Sequence, residues 1–515
     1  MFPRIIPPVF AAILLFSLTA CFTPENSGPF ERVKVEGGEI SGSRDSTGIF
    51  SFKGVPFAAP PVDSLRWKAP QPVKPWNGVR ICDTFGPSPM QGDPAPFSMW
   101  TEEFLIPKKP ISEDCLYLNV WTGAKNPAEK RAVLVWIYGG GFMSGGSAVP
   151  IYDGAALARQ GIIVVSINYR VGIFGFFSHP ELSAESAHNA SGNYGLLDQI
   201  AALKWVKANI SVFGGDPDKV TIAGQSAGSM SVNALVASPL AKGMFRGAIG
   251  QSGASFTREN VPLADAEKAG KSIAAELGAS SVADLRKLPS EKLMKANYPF
   301  RRPVIDGYVL PRTIAKIFAE HRENKVNLLT GWNENEGLHG DLKPAEAYRK
   351  ETEQHYGADA AELLRFYPAT TDSIAAVSQA NLARDQYFGV QNFAWANAQS
   401  AHGRKVFVYR FSRRVPATGE YVKYGAFHTG EVPYMFDNLG FVKRPWESSD
   451  RELAQTMSGY WVNFVKTGNP NGSGLAEWPA YSQAGGAIMN FDTDAKAGAL
   501  ADRAALLFLY EQMQK

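Results

Sequence analysis

A series of short apolar segments rich in β-branched residues constrains the fold of this chain more than any other feature. AVLVWIYG from Ala132 and GIIVVSINY from Gly161 are almost continuously apolar, and four further runs follow: KVTIAG from Lys219, FRGAIGQSG from Phe245, NKVNLLTGW from Asn324 and KVFVYRF from Lys405. Such runs are typical of strands that helices cover on both faces of a parallel sheet. Between two of them, LLDQIAALKWVKANI spaces its apolar residues as one face of a helix. This alternation predicts a doubly wound α/β sheet.

The chain of 515 residues is long enough for several domains, but the order of its segments favours one. Helical stretches at about 261–295 and 344–399 each have core strands on both sides, so we interpret them as insertions into a single domain over residues 33–515. Lys and Arg total 52 against 49 for Asp and Glu, without a basic run, which argues against nucleic acid as the main partner.

The N-terminus has the pattern of an export signal. Arg4 is followed by the apolar run Val9–Leu18, which is about half the length needed to cross a bilayer, so residues 1–20 are predicted to be a signal peptide. LTAC, which ends at Cys21, resembles a bacterial lipobox, and residues 21–32 would then form a tether behind a lipidated Cys21. We therefore expect a protein of the bacterial cell envelope that this lipid anchors to a membrane. An ordinary signal peptide, with Cys21 incidental and the protein secreted, is the alternative.

One serine stands in the sequence context of a nucleophile. Gly224 and Gly228 enclose Ser226 in GQSAG, which follows the strand pattern VTIAG and precedes the helical pattern AGSMSVNALVA. At such a strand-to-helix turn, glycines on both sides let the backbone close and hold the serine hydroxyl out at the edge of the sheet. The alternative is an accidental Gly-x-Ser-x-Gly in a chain with 49 glycines, so the rest of the sequence has to decide.

A serine nucleophile needs a histidine base that a carboxylate orients, and each is expected on a loop after a strand. After VNLLTG, the segment WNENEGLHG offers Glu334, Glu336 and His339, and after VFVYRF the segment GAFHTGEVPYMF offers His428. His339 is too close to the candidate acids to occupy a separate loop, His402 precedes its strand, and the other histidines fall outside the expected loops. His428 is therefore the predicted base, and either glutamate could be the acid.

Acyl transfer also requires backbone N–H groups that bind the oxyanion of the intermediate. VWIYGGGF places Gly139, Gly140 and Gly141 directly after a strand, where glycines let the backbone approach a substrate closely. A phosphate-binding loop is the other interpretation of a glycine run, but no Gly-Lys-Ser/Thr follows it. An oxyanion hole is favoured.

Together these motifs resemble those of type-B carboxylesterases, the α/β-hydrolase family that includes bacterial para-nitrobenzyl-type esterases, cholinesterases and the non-catalytic neuroligins. The resemblance extends from about Val33 to the C-terminus and rests on GIFSFKGVPFAAPP, SEDCLYLNVW, YGGGF, SINYRVGIFGFF, GNYGLLDQIAALKWVKANISVFGGDP, VTIAGQSAGS, GWNENEG and GAFHTGEVPYMF. It implies an α/β-hydrolase fold, in which helical insertions into a mostly parallel sheet form a cap over an active-site gorge.

The resemblance also implies roles for individual residues. It places the acid at Glu336 and leaves Glu334 at a variable position. The implied triad is Ser226, Glu336 and His428, with oxyanion donors at Gly140, Gly141 and Ala227. No cofactor and no metal are implied, because the chemistry needs only protein groups and water.

This chain departs from the family's pattern in places. Gln225 replaces the Glu that is common before the nucleophile. This replacement is expected to alter hydrogen bonding beneath the turn that contains Ser226. Pro89 falls where the family often has the cysteine that pairs with Cys115, so a disulfide from Cys82 to Cys115 requires the loop to shift.

The sequence thus predicts a serine esterase that hydrolyses carboxylic esters of small molecules through an acyl-enzyme intermediate. Phe97, Trp100 and Phe142 are candidates for an apolar pocket wall, or else pack in the core and lid. A lipase, or an amide or carbamate hydrolase, would share the triad and differ in pocket shape. A neuroligin-like binding protein is disfavoured because all three triad positions are kept.

Overall fold

The structure, a computed structural model, describes residues 1, 3, 30–256 and 261–514. The lipidation site predicted at Cys21 lies outside the described residues, as does the signal peptide predicted over 1–20 apart from residues 1 and 3.

An eleven-stranded mixed sheet lies at the centre of the molecule. In chain order its strands are β1 (Ser43–Arg44), β2 (Phe50–Pro56), β3 (Tyr117–Thr122), β4 (Arg131–Ile137), β5 (Ile163–Ile167), β6 (Gly215–Gln225), β7 (Gly247–Gln251), β8 (Asn327–Asn333), β9 (Val406–Phe411), β10 (Ala487–Phe491) and β11 (Ala495–Ala499). Across the sheet they are ordered β11-β10-β9-β8-β7-β6-β4-β5-β3-β2-β1. The strands from β10 to β5 in this order run parallel, and antiparallel strands complete both edges.

The apolar runs of the sequence form the middle of this sheet, as predicted. All six correspond to neighbouring strands, in the order β9-β8-β7-β6-β4-β5. In β4 every residue from Ala132 to Ile137 is buried. Because successive side chains of a strand point to opposite faces, this burial means that both faces of the sheet are covered, which is why the runs are continuous rather than alternating.

Helices flank the sheet. They are α1 (Ala155–Arg159), α2 (Gly172–Phe176), α3 (Pro180–Glu185), α4 (Tyr194–Asn209), α5 (Ala227–Ala237), α6 (Leu263–Glu276), α7 (Val282–Lys287), α8 (Ser290–Met294), α9 (Ile314–Ala319), α10 (Ala345–Tyr356), α11 (Ala360–Phe366), α12 (Asp372–Arg384), α13 (Val390–Ala401), α14 (Val432–Met435), α15 (Ser448–Thr467) and α16 (Arg503–Gln514). The stretches predicted as helical insertions contain α6 to α8, between β7 and β8, and α10 to α13, between β8 and β9. A π-helical turn, Asp385–Gly389, joins α12 to α13.

Smaller elements complete the chain. Val33–Val35, Gly38–Ser41 and Val79–Ile81 form a separate three-stranded sheet. Two short pairs, Ser88–Pro89 with Ile111–Ser112 and Val261–Pro262 with Val304–Ile305, lie outside both sheets. Within the described part of the chain, no helix combines the length and apolar character that a membrane span requires.

Candidate active site

The turn between β6 and α5 has the geometry that the pentapeptide GQSAG predicts. Ser226 lies between the two elements with φ 57° and ψ −126°, a conformation that L-residues rarely adopt. Two backbone hydrogen bonds hold it there: Ser226 N donates to Gln251 O at 2.8 Å, and Met230 N donates to Ser226 O at 2.9 Å. The serine is therefore fixed to the neighbouring strand and to the first turn of the helix.

The flanking glycines allow close packing as well as a tight turn. A Cβ on Gly228 would collide with the carbonyl oxygen of Ile137, the last residue of β4. A Cβ on Gly224 would lie 2.7 Å from the same oxygen and would also meet the backbone of Gly228. Larger residues at either position would push α5 away from the sheet and displace Ser226.

The predicted acid and base meet in a buried pair. His428, on the loop after β9, places Nδ1 2.6 Å from Oε2 of Glu336, on the loop after β8. Both side chains are almost completely buried, and Glu336 Oε1 accepts a hydrogen bond of 2.8 Å from Asn333 N. Since an ionised carboxylate only accepts, the proton of a neutral His428 ring lies on Nδ1, and Nε2 keeps its lone pair.

The structure also shows which of the two glutamates in the acid motif, Glu334 or Glu336, lies next to the histidine. Glu334 forms ion pairs with Arg384 at 2.8 Å and with Arg410 at 2.7 Å, and its side chain is 41% exposed. His339 is exposed and contacts Gly340, and His402 pairs with Glu323 at 2.6 Å. Glu336 is therefore the glutamate that faces His428.

A cavity of about 500 Å³ contains the candidate groups. Gln225, Ser226 and His428 lie in its wall together with Gly139, Gly140 and Gly141, and Gly139 packs against Ser226. Its remaining lining is mainly apolar, with Phe97, Trp100, Phe104, Leu105, Ile106, Val149, Tyr152 and Leu338. Among the described residues that line it, Asp93 is the one Asp, Glu, Lys or Arg.

The glycine run after β4 adopts left-handed backbone conformations that favour glycine. Gly140 has φ 105° and Gly141 has φ 63°, and the Gly140 carbonyl accepts from Met143 N at 3.0 Å and from Ser144 N at 3.1 Å. This tight turn places the glycines beside Ser226 in the cavity wall. Ala227 is the first residue of α5, where backbone N–H groups have no partner within the helix.

Two aromatic rings fix the orientation of the His428 ring. Phe388, in the π-helical turn, stacks on it with a centroid distance of 4.7 Å and an interplanar angle of 30°. Trp100 meets it edge-on at 6.2 Å, and Trp100 Nε1 donates to Thr429 Oγ1 at 3.1 Å. The ring is thus held by packing as well as by Glu336.

A second buried carboxylate lies behind the acid. Glu431 accepts from Asn333 Nδ2 at 2.6 Å and from Gln251 Nε2 at 3.0 Å. Burial raises the pKa of Glu431 to about 7, and the neighbouring Glu336 carboxylate acts in the same direction. Sequence reasoning assigned no role to Glu431, Asn333 or Phe388. Glu431 lies in the histidine motif GAFHTGEVPYMF and Asn333 in the acid motif GWNENEG, whereas no local signal marks Phe388.

Phe142, which was expected to line the pocket, does not do so. Its ring is buried against Phe176, with the ring centroids 5.2 Å apart. The positive φ of Phe142, 62°, turns the chain, and Gly172 N donates to Phe142 O. Of the three aromatic residues predicted for the pocket, Phe97 and Trp100 do line it.

Cys82 and Cys115 are both buried free thiols rather than a disulfide. Cys82 is held next to the three-stranded sheet, where its N donates to Ser41 O and its O accepts from Lys53 N, each at 2.7 Å. Cys115 lies beside Trp67 and Arg170. Burial raises the pKa of the Cys82 thiol to about 11 and the pKa of the Cys115 thiol well above its usual value, so neither is poised to react.

No group of three or more His, Cys, Asp or Glu side chains that could hold a metal ion occurs in residues 30–256 and 261–514. Ser226, His428 and Glu336 are the candidates for a nucleophile, a general base and an orienting carboxylate.

Comparisons with known proteins identify the family of this chain. The profile of the Carboxylesterase family matches residues 30–507. The fumonisin B1 esterase of Sphingopyxis macrogoltabida is 37% identical over 475 residues, which cover 87% of this chain and 84% of that protein. The para-nitrobenzyl esterase of Bacillus subtilis is 37% identical over 476 residues, covering 88% and 92%, and carboxylesterase 1D of Rattus norvegicus is 36% identical over 484 residues, covering 84% and 83%. The chain therefore belongs to the carboxylesterase family and is a carboxylic ester hydrolase with the α/β-hydrolase fold.

Proposed function

We propose that this enzyme hydrolyses uncharged carboxylic esters through an acyl-Ser226 intermediate, with His428 as general base and Glu336 as the acid that orients it. The observation that carries the proposal is the buried 2.6 Å hydrogen bond between His428 Nδ1 and Glu336 Oε2, beside a cavity that also contains Ser226.

The reaction follows from these positions. His428 Nε2 takes the proton of Ser226 Oγ as that oxygen attacks the ester carbonyl, and Glu336 stabilises the imidazolium that forms. His428 then gives the proton to the leaving alcohol, the ester C–O bond breaks, and the acyl group remains on Ser226. Water repeats the sequence on the acyl-enzyme and releases the carboxylic acid.

The oxyanion of each tetrahedral intermediate needs donors that are already in place. We assign this role to the N–H groups of Gly140, Gly141 and Ala227. The two glycines line the same cavity as Ser226, and Ala227 N lies at the N-terminus of α5, where the helix dipole favours negative charge.

The chemistry of the cavity supports the restriction to uncharged esters. Its wall is mainly apolar, and its lining includes Asp93 but no Lys or Arg. A carboxylate on the acyl group of a substrate would lose its hydration without gaining a cationic partner, which costs several kcal/mol. A volume of about 500 Å³ suits a small molecule with apolar groups.

Paired substrates test this proposal. We expect kcat/KM for p-nitrophenyl butyrate to exceed that for the p-nitrophenyl monoester of succinic acid by at least about tenfold, since each 1.4 kcal/mol corresponds to a factor of ten. Ser226→Ala should abolish both activities while leaving the thermal unfolding transition in place. Equal activity on the two esters would refute the substrate class, and near-normal turnover by the variant would refute the nucleophile. The anilide of butyric acid and an emulsified triglyceride extend the panel to amidase and lipase activity.

We also propose that the enzyme is exported and anchored in the cell envelope through a lipid on Cys21. The support is the LTAC sequence that follows the apolar run Val9–Leu18. Palmitate labelling of the full chain should be lost in Cys21→Ser, and processing should be sensitive to globomycin. Equal labelling of the two proteins would overturn the anchor.

A further inference from the structure

The nitrogen that must accept the Ser226 proton already has a partner in this structure. His428 Nε2 lies 3.1 Å from Nε2 of Gln225. Gln225 is the last residue of β6, immediately before Ser226, and its side chain is buried in the cavity wall.

The hydrogen-bond network fixes the direction of this contact. Glu336 Oε2 accepts the Nδ1–H of His428, so Nε2 of the neutral ring carries a lone pair. An amide nitrogen only donates, and Gln225 therefore donates to Nε2. The neutral ring is held at both nitrogens in the tautomer that has its lone pair on Nε2, and Gln225 has to yield this lone pair to Ser226 when the proton is transferred.

Few charges face the ring from the elements around it. Glu336 pairs with Nδ1, and Glu431 acts on His428 from behind that pair. Phe388 and Trp100 pack on the ring without bringing a charge. On the Nε2 side, the neighbouring side chain is the uncharged Gln225.

We propose that Gln225 is a positioning residue that keeps His428 in its neutral, proton-accepting form, by donating to Nε2 and by placing no negative charge there. The inference rests on the proposed function, because His428 acts as general base in it. A carboxylate at position 225 would instead accept a hydrogen bond from a protonated Nε2. It would thereby stabilise the imidazolium, which has no lone pair for the proton of Ser226, so that a smaller fraction of the free enzyme carries the base at low pH.

The consequence appears in the pH dependence of catalysis. An opposite charge within about 4–6 Å of a titrating group shifts its titration by about one to three pH units. The acidic limb of the kcat/KM profile of Gln225→Glu should therefore move to higher pH by about one unit or more. At a fixed pH below the acidic limb, each pH unit by which the limb moves lowers the kcat/KM of the variant about tenfold relative to the wild type.

Three variants separate charge from shape. Gln225→Glu adds a carboxylate, and Gln225→Met keeps similar length without a charge or a donor. Gln91→Glu adds the same charge elsewhere in the cavity wall, where the Gln91 amide is bonded to Gly145 rather than to His428.

The kcat/KM of each variant is measured on p-nitrophenyl acetate from about pH 5 to about pH 9. We expect the acidic limb to move most in Gln225→Glu, less in Gln225→Met and less in Gln91→Glu. A Gln225→Glu limb that coincides with that of the wild type, or a Gln225→Met limb that moves as far, would overturn the proposal.

A second readout does not depend on turnover. In the Ser226→Ala background, the downfield proton NMR signal of the His428 Nδ1–H in its hydrogen bond to Glu336 reports the proton state of the ring. The transition of this signal should occur at higher pH when Gln225→Glu is added, and an unchanged transition would overturn the proposal. If the wild type hydrolyses no ester, the proposed function fails, while the NMR titration still decides the role of Gln225.

Discussion

Replacing Glu336 with Gln should remove most of the activity by changing the tautomer of His428. Glu336 accepts two hydrogen bonds, from His428 Nδ1 at 2.6 Å and from Asn333 N at 2.8 Å, whereas a glutamine offers one acceptor oxygen. If that oxygen faces His428, the amide NH₂ faces Asn333 N–H, and an unpaired buried donor costs about 1–3 kcal/mol. If it faces Asn333, the NH₂ faces His428, which must then carry its proton on Nε2.

The second orientation keeps the Asn333 N–H paired, and the Gln225 amide can turn so that its oxygen accepts the Nε2–H of His428. We therefore expect this orientation to dominate by about 1–3 kcal/mol, or roughly 5- to 150-fold. A ring protonated on Nε2 cannot take the proton of Ser226. The variant also lacks the negative charge that stabilises the imidazolium. In the Ser-His-Asp template the corresponding loss is about 10⁴ in kcat, which is about 5.5 kcal/mol, and we expect a fall of about 10³- to 10⁴-fold here.

The assay is steady-state hydrolysis of p-nitrophenyl butyrate by Glu336→Gln, with thermal unfolding as the check on folding. Glu334→Gln is the matched control, because Glu334 lies in the same loop but pairs with Arg384 and Arg410 on the other side. We expect the control to keep kcat within about tenfold of the wild type, since surface and half-exposed ion pairs contribute about 1 kcal/mol or less. A folded Glu336→Gln enzyme with kcat within tenfold of the wild type would refute the reasoning. Equal losses in both variants would refute the choice between the two glutamates.

Three further predictions follow from the packing of the site. Gly140→Ala should lower kcat by about 10²-fold or more, because its Cβ would collide with the Ser144 carbonyl. Gly141→Ala should stay within about tenfold of the wild type, because its Cβ would meet open space. Measurements of kcat and thermal unfolding on both variants test this, and equal effects would contradict it. Phe388→Leu should lower kcat about two- to tenfold at constant KM, because a ring pair contributes about 0.5–1.5 kcal/mol; a change confined to KM would contradict it. For Glu431, burial raises the pKa from 4.5 to about 7, so its contribution to stability is present below pH 4.5 and is lost as the pH rises through about 7. We therefore compare the free energy of unfolding of Glu431→Gln with that of the wild type in urea. The difference, variant minus wild type, should rise by about 3 kcal/mol from about pH 4.5 to about pH 8. A difference that stays constant over this range would contradict the prediction.

The middle of the sheet was predictable because strands covered on both faces need apolar residues at every position. Its edges were not: β11 has the sequence AKAGA and β1 is only Ser43–Arg44, so neither has the composition of a buried strand. Their pairing depends on neighbours that are distant in the chain. The division into a signal peptide, a tether and one domain over 33–515 stays a prediction.

The candidate triad was predictable because each member follows a strand whose end is fixed by the parallel sheet. The positions of the Phe142 and Phe388 rings could not be predicted in this way. Phe142 adjoins the glycine run, yet its positive φ turns its ring into the core, and a loop dihedral of this kind has no reliable sequence signal. Phe388 reaches His428 from a π-helical turn 40 residues earlier in the chain, which only the packing of α12 and α13 determines.

The reactivity proposed for Ser226 depends on the sheet rather than on the pentapeptide alone. Its backbone conformation costs about 1–3 kcal/mol, which a free peptide would relieve by rotation. Here Gln251 of β7 binds its N–H, Met230 of α5 binds its carbonyl, and Gly228 packs against the Ile137 carbonyl of β4 with no room for a Cβ. Relaxing the turn would require breaking contacts with two strands and a helix at once. The strain therefore persists in the folded enzyme, and it holds Ser226 in the wall of the cavity that His428 and the glycine run also line.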